Sequence, residues 1–225
     1  MDWKKKVFEG FRLYAVTDLR TENPEILEKI EAAYRGGADI VQLRSKVLSD
    51  AALIRLGLKI KRIAEKTRKL FFINDRMDLA LATGADGVHL GQEDMPVRMA
   101  RNLAKSAGRK IWIGKSTHSL KQALAAVSEG ADYIGVGPVF ATPTKPHMKS
   151  VGLGFVKQAA MKIRIPWVAI GGIDLENIRD VARAGATRVA VVRAIFATQD
   201  SQKAARKLKH QLYRFGINSK GQRYC

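Results

Sequence analysis

Only one of the 225 residues is a cysteine, and it is the last, Cys225. No intrachain disulfide is possible, so a reducing compartment, the cytoplasm, is expected. Long apolar runs are also missing. No stretch approaches the roughly 18 apolar residues of a membrane span. The N-terminus, MDWKKKVFEG, is basic but lacks the apolar run of a secretory leader, so no membrane partner is expected. Other absences narrow the chemistry. There is no H-x-x-x-H and no Cys/His cluster, which argues against a zinc site. No G-x-S-x-G elbow is present, which counts against an α/β-hydrolase. Acidic residues are scarce, 21 against 40 Lys and Arg, and the net charge is +19. That balance favours anionic partners: nucleic acid, a membrane surface or phosphorylated metabolites. With no arginine-rich arm, zinc-finger spacing or recognition-module signature, nucleic acid is not the expected partner. Much of the charge falls in residues 55–69 and 203–214, helical stretches with the basic residues away from the apolar stripe.

What remains is ample for a core, since 46% of the residues are hydrophobic. Strand-like segments read at 11–17, 39–44, 70–74, 86–90, 110–114, 132–137, 166–170 and 187–192. Helical segments read at 24–35, 50–68, 76–83, 96–106, 119–129, 153–162, 175–183 and 200–213, with no low-complexity linker anywhere. This alternation predicts an α/β fold, a single (β/α)8 TIM barrel over 11–213. A short basic arm or helix at 1–10, anchored by Trp3 and Phe8, precedes it, and a tail at 214–225 follows. The phrases GGAD (36–39), TGAD (83–86), EGAD (129–132) and AGAT (184–187) repeat one device, a glycine that closes a helix before the next strand opens. A doubly wound open sheet is the competing fold, but no G-x-G-x-x-G follows the first strand.

In such a barrel the chemistry sits where strands end. Residues 70–94 read as strand–helix–strand, and Asp75 and Asp94 then emerge at one rim, with Asn74 and Gln92 beside them. Two carboxylates there suit a hard cation that carries a phosphorylated ligand. The competing reading, an Asp that caps a helix or makes a turn, stays open on these residues alone. Gln42, Arg44 and Lys46 alternate at period two, so they share a face suited to gripping a diphosphate, while Val41 and Leu43 point to the helix shell. Lys46 reads equally well as a charge in a solvated loop. The sixth loop, from Gly137 to Pro146, carries Thr142, Thr144 and Lys145 and has the length of a binding loop or lid. Gly171-Gly172 after strand seven and the tight turn after strand eight match the common phosphate site of barrels.

Taken together, YAVTD, VQLRSK, FFINDR, DGVHLGQED, IGKSTHS, GVGPVFATPTKP, VAIGGI and VAVVRAI resemble the thiamine-phosphate synthase family, one motif to each strand end over residues 11–197. The resemblance implies two small-molecule substrates, a pyrimidine diphosphate and a thiazole phosphate, joined with Mg²⁺ as cofactor. It implies diphosphate contacts at Arg44, Lys46, Asn74, Ser116 and Lys145, with Gln42 on the pyrimidine side. Arg44, Lys46, Ser116 and Lys145 would then be the catalytic set. It implies Mg²⁺ ligands at Asp75 and Asp94. Thiazole-phosphate contacts would fall on Thr142, Thr144, Gly172 and the backbone near Val192 and Arg193. Two positions depart from the family pattern: Lys115, where an apolar residue is usual, and Arg193, where some members have serine. Arg193 reads either as a second phosphate clamp or as a shell residue paired with an acid. A thiazole tautomerase or regulatory paralogue on the same fold is the alternative, with His118 as its acid–base candidate. Asp75, Asp94 and Lys145 together weigh against it. A homo-oligomer is left open.

Overall fold

Eight short strands, each paired in parallel with its neighbour in sequence, close on themselves. They are β1 (Leu13–Val16), β2 (Ile40–Leu43), β3 (Leu70–Asn74), β4 (Gly87–Leu90), β5 (Trp112–Thr117), β6 (Tyr133–Val136), β7 (Trp167–Ile170) and β8 (Val189–Val191), and β8 pairs back onto β1. Helices α1 (Trp3–Gly10), α2 (Ile26–Arg35), α3 (Asp50–Lys66), α4 (Met77–Ala82), α5 (Val97–Ser106), α6 (Leu120–Ser128), α7 (Gly152–Lys162), α8 (Ile178–Arg183), α9 (Arg193–Phe196) and α10 (Ser201–Phe215) complete the order. The chain is thus a (β/α)8 barrel. The computed structural model describes residues 3–21, 23–144 and 148–215; Lys145 and the tail beyond residue 215 lie outside the described residues.

Strand parity sorts the side chains. Leu13, Ala15, Val41, Leu43, Phe71 and Ile73 pack outward against the helices. Tyr14, Val16, Ile40, Leu70, Phe72 and Tyr133 fill the lumen. Because successive side chains alternate, the same parity that buries Ile40 and Phe72 carries Gln42, Arg44 and Asn74 inward at the upper rim. Helix α10 shows the helical version: Ala204, Ala205, Leu208 and Leu212 are buried, while Lys203, Arg206, Lys207 and Arg214 are exposed.

The base of the barrel is closed by α1. Phe8 stacks on Trp112 with centroids 4.6 Å apart and planes 11° from parallel, and Phe11 meets the edge of Tyr14 at 6.3 Å. The repeated G-A-D phrase has a definite purpose here. The chain leaves the helix through a left-handed glycine (φ 110° at Gly37, 66° at Gly84). The aspartate that follows reaches back to the start of the preceding strand. Asp39 accepts from the backbone N–H groups of Arg12 and Leu13, Asp86 from that of Phe71, and Asp132 from that of Ile113. Each carboxylate is also ion-paired: Asp39 with Lys69 and Lys209, Asp86 with Lys4 and Lys61, Asp132 with Arg101.

Two elements differ from the sequence reading. The fifth strand runs three residues further than expected, so Lys115, Ser116 and Thr117 lie in the ladder, opposite Leu90 on one side and Val136 on the other. Residues 193–196 form a short extra helix where the sequence suggested only a turn. Among the described residues no helix is long and apolar enough to cross a membrane.

Candidate active site

A cavity of about 480 Å³ opens at the carboxyl-terminal rim and is lined from every strand end. Gln42 and Arg44 enter it from β2 and the loop that follows, Asn74 and Asp75 from β3, His89 from β4 and Ser116 from β5. Thr142 and Thr144 line it from the sixth loop, Gly171 and Gly172 from the end of β7, and Val192 and Arg193 from the end of β8. The opposite end of the barrel is filled by aromatic rings, which leaves this rim as the place for a ligand.

Arg44 is 8% exposed and its guanidinium pairs with Asp18. The Thr17 hydroxyl ties the two loops together, accepting from Arg44 N–H at 2.8 Å and donating to the Arg44 carbonyl at 3.0 Å. Lys46 does not share the cavity wall with Gln42 and Arg44. Its side chain is 59% exposed and its ammonium stands 2.5 Å from Asp75. The period-two alternation ends with the strand at Leu43, so it no longer aims a residue three positions later. Asp75 has outward parity but a left-handed backbone, φ 62°, and this turn brings its carboxylate to the cavity.

Asp94 does not line the cavity but is hydrogen-bonded to Asp75. Burial and then the Asp75 hydrogen bond and charge raise the Asp94 carboxyl above its ordinary range. Burial also acts against the charged form of Asp75, but the Asp94 hydrogen bond and the Lys46 ammonium overcome it and hold that carboxyl low. The loop that presents Asp94 is anchored at Gly91, whose N–H donates to the Asp94 carboxylate at 2.6 Å. The Gly91 carbonyl accepts from the buried Lys115 ammonium at 2.6 Å. Lys115 thus serves the loop from the shell side of β5, and Gln92 adds a bond to the Ser116 carbonyl. Among the described residues no group of three or more His, Cys, Asp or Glu side chains could hold a metal ion. Two adjacent carboxylates suit a hard cation that fills its remaining positions from a ligand and water.

On the opposite side, the sixth loop is stitched to the end of β7. Val139 N–H donates to the Ile170 carbonyl and Phe140 N–H to the Gly171 carbonyl. A Cβ on Gly171 would lie 2.5 Å from Pro138, and one on Gly172 2.7 Å from the Ala141 carbonyl. Only glycine permits this approach, which brings Thr142 and Thr144 to the Gly172 side of the cavity. Arg193 is exposed, lines the cavity and makes no ion pair among the described residues, so the shell reading of this residue does not hold.

Sequence reasoning missed Asp18 as the partner of Arg44. It also missed a buried chain of side chains, Gln42–Tyr14–Tyr133–His89–Ser116. Parity was the available signal: Tyr14, His89 and Tyr133 fall on the inward face, each with a polar tip.

Known proteins resemble this chain in sequence and fold. A family model described as thiamine monophosphate synthase matches residues 13–195. The thiamine-phosphate synthase of Thermus thermophilus is 47% identical over 83% of this chain and 89% of its own. That of Thermosynechococcus vestitus is 44% identical over 91% of this chain, which spans only 56% of that longer protein. The solved thiamine phosphate pyrophosphorylase of Pyrococcus furiosus superposes with a TM-score of 0.81 at 36% identity, covering 90% of this chain and 95% of that one. A 3-hexulose-6-phosphate synthase, at 21% identity and a TM-score of 0.62, shares the fold alone. From the first strand to the helix after the eighth, the chain belongs to the thiamine monophosphate synthase family.

Proposed function

We propose that the chain joins 4-amino-5-hydroxymethyl-2-methylpyrimidine diphosphate to 4-methyl-5-(2-hydroxyethyl)thiazole phosphate, releasing thiamine phosphate and diphosphate. The observation that carries this reading is the two-sided rim. Arg44 and the Asp75–Asp94 pair with Lys46 stand on one side, and the Thr142–Thr144 loop against Gly171-Gly172 on the other. One side suits a diphosphate and a cation, the other a monophosphate.

The chemistry needs little proton transfer. The carbon–oxygen bond of the pyrimidine methylene breaks, and its electron pair leaves with diphosphate. The thiazole nitrogen lone pair then forms the new carbon–nitrogen bond. Charge accumulates on the leaving group, so guanidinium and ammonium donors fixed beside it stabilise the transition state more than the ground state. Arg44 is held for this by Asp18 and Thr17. Ser116, in the strand ladder, offers a hydroxyl from a rigid position. Lys145, next to Thr144 in sequence, is assigned to the same leaving group by resemblance alone. Asp75 and Asp94 would hold Mg²⁺, which supplies charge neutralisation to the departing diphosphate when bound. Thr142, Thr144, Gly172 and the chain at Val192 and Arg193 would orient the thiazole phosphate. Both substrates are anionic, and a net charge of +19 speeds their encounter. We take the compartment to be the cytoplasm, where phosphorylated intermediates are retained.

The test is direct. Purified chain with Mg²⁺ and both substrates should form thiamine phosphate and diphosphate in equal amounts. No product under those conditions, with the chain folded, refutes the reading.

A further inference from the structure

Five polar side chains cross the barrel in one hydrogen-bonded line along the floor of the cavity. Gln42 Nε2 donates to the Tyr14 hydroxyl at 2.8 Å, and the Tyr14 and Tyr133 hydroxyls meet at 3.0 Å. The Tyr133 hydroxyl lies 2.9 Å from His89 Nδ1, and His89 Nε2 lies 2.9 Å from Ser116 Oγ. Gln42 and Ser116 at its ends line the cavity, as do Tyr14 and His89 between them, and Tyr133 is the one member not in the lining. The barrel makes room for it: a Cβ on Gly114 would lie 2.2 Å from the Tyr133 ring, and one on Gly135 3.3 Å from His89.

The direction of the line follows from the amide atom that faces it, and Gln42 turns its nitrogen, not its oxygen, to Tyr14. An amide nitrogen only donates, and a hydroxyl has one proton to give. Burial, first of all, pushes both tyrosine hydroxyls well above their ordinary range, so both keep their protons. Gln42 gives its N–H to Tyr14, so the Tyr14 proton goes to Tyr133 and the Tyr133 proton to His89 Nδ1. With the imidazole neutral, as at alkaline pH, its proton then sits on Nε2, which donates to Ser116. The Ser116 proton and the Gln42 amide oxygen are what remain for a ligand.

We infer that Tyr14, Tyr133 and His89 are positioning residues that set both ends of the site in one direction, an acceptor at Gln42 and a donor at Ser116. This rests on the reading above, in which the cavity takes an aminopyrimidine. An exocyclic amino group meets the acceptor, and a ring nitrogen or diphosphate oxygen meets the donor. A line running the other way would present NH₂ at Gln42 and a lone pair at Ser116, and both would oppose that ligand.

The test reads the proton itself, by ¹⁵N NMR of the full chain at alkaline pH, where the imidazole is neutral. His89 is expected as the Nε2–H tautomer. Gln42→Glu replaces the donor with a carboxylate that only accepts, so every bond must reverse and His89, three side chains away, should move to Nδ1–H. A wild-type Nδ1–H tautomer, or a tautomer indifferent to Gln42→Glu, overturns the inference. If Gln42→Glu fails to fold, Tyr133→Phe decides, because it cuts the line and keeps the ring. It should give a mixture of His89 tautomers and raise KM for the pyrimidine diphosphate roughly five-fold or more, with KM for the thiazole phosphate unchanged. A single Nε2–H tautomer in Tyr133→Phe, or equal changes in both KM values, also overturns it. The NMR arm needs no turnover, so an inactive wild type would refute the proposed reaction and leave the line to be judged on its tautomers.

Discussion

The Lys46 ammonium stands 2.5 Å from the Asp75 carboxylate, so a group assigned to a diphosphate and a group assigned to a cation are each other's partner. The Lys46 side chain is 59% exposed, which makes this a soft pair worth about 0.2–1 kcal/mol. A divalent cation arriving at Asp75 has to displace that ammonium, and a diphosphate has to draw it away. The two ligands should therefore assist each other's binding.

Lys46→Met tests the competition. Without the ammonium, Mn²⁺ affinity measured by electron paramagnetic resonance in the absence of substrate should rise, by no more than about five-fold. KM for the pyrimidine diphosphate should rise as well. A weaker Mn²⁺ affinity in this variant would show that Lys46 orients Asp75 instead of competing for it.

At the other end of the barrel, Asp39 is expected to act on stability alone. Burial opposes its charge, but Lys209, Lys69 and two backbone N–H groups overcome that and hold the carboxyl below its unfolded value of 3.8. A group with a depressed folded pKa stabilises above its unfolded value and loses that contribution as pH falls through the folded one. Asp39→Asn should therefore cost about 1–3 kcal/mol at neutral pH, and the gap from wild type should narrow below about pH 4. Melting curves across pH check this, and KM for both substrates should not move.

The barrel was legible because its signals are local and repeated. Each G-A-D phrase marks a helix end and a strand start within four residues, and inward parity at Gln42, Asn74 and His89 follows from the pleat. The fifth strand was misjudged because Lys115-Ser116-Thr117 has the composition of a loop, and pairing on both sides overrides that preference. The extra helix at Arg193–Phe196 hides inside an apolar run that continues from β8. Partnerships such as Asp18 with Arg44 and Tyr14 with Tyr133 join residues 26 and 119 positions apart, and no spacing rule reaches that far.

Lys115 is a buried cation whose ammonium donates to a carbonyl, that of Gly91, at 2.6 Å. Since Gly91 N–H holds the Asp94 carboxylate, Lys115 fixes the loop that carries Asp94. Lys115→Met keeps the length and the apolar packing but loses a charge-assisted bond, about 1.5–3 kcal/mol. Part of that loss should appear as Mn²⁺ affinity lowered roughly three- to ten-fold, with kcat at saturating Mn²⁺ within about two-fold of wild type. A lowered melting temperature with unchanged Mn²⁺ affinity would make Lys115 a support for the fold only.

Arg193 separates two ways of holding a monophosphate. It opens the short helix after β8, is exposed, lines the cavity beside Gly171-Gly172, and has no acidic partner among the described residues. A guanidinium so placed can add a charge-assisted contact to the thiazole phosphate, but solvent screening keeps its value near that of a surface pair, about 1 kcal/mol. The alternative is that backbone at Gly172 and Val192 does the binding and Arg193 only adds to the positive field. Arg193→Ser distinguishes them. A direct contact predicts a three- to ten-fold rise in KM for thiazole phosphate, about 1 kcal/mol, with KM for the pyrimidine diphosphate and the melting temperature unchanged. A field effect predicts small, parallel rises in both KM values that vanish at high salt, because long-range attraction between exposed charges is screened within a Debye length. Measuring both KM values for wild type and variant at low and high ionic strength decides between contact and field.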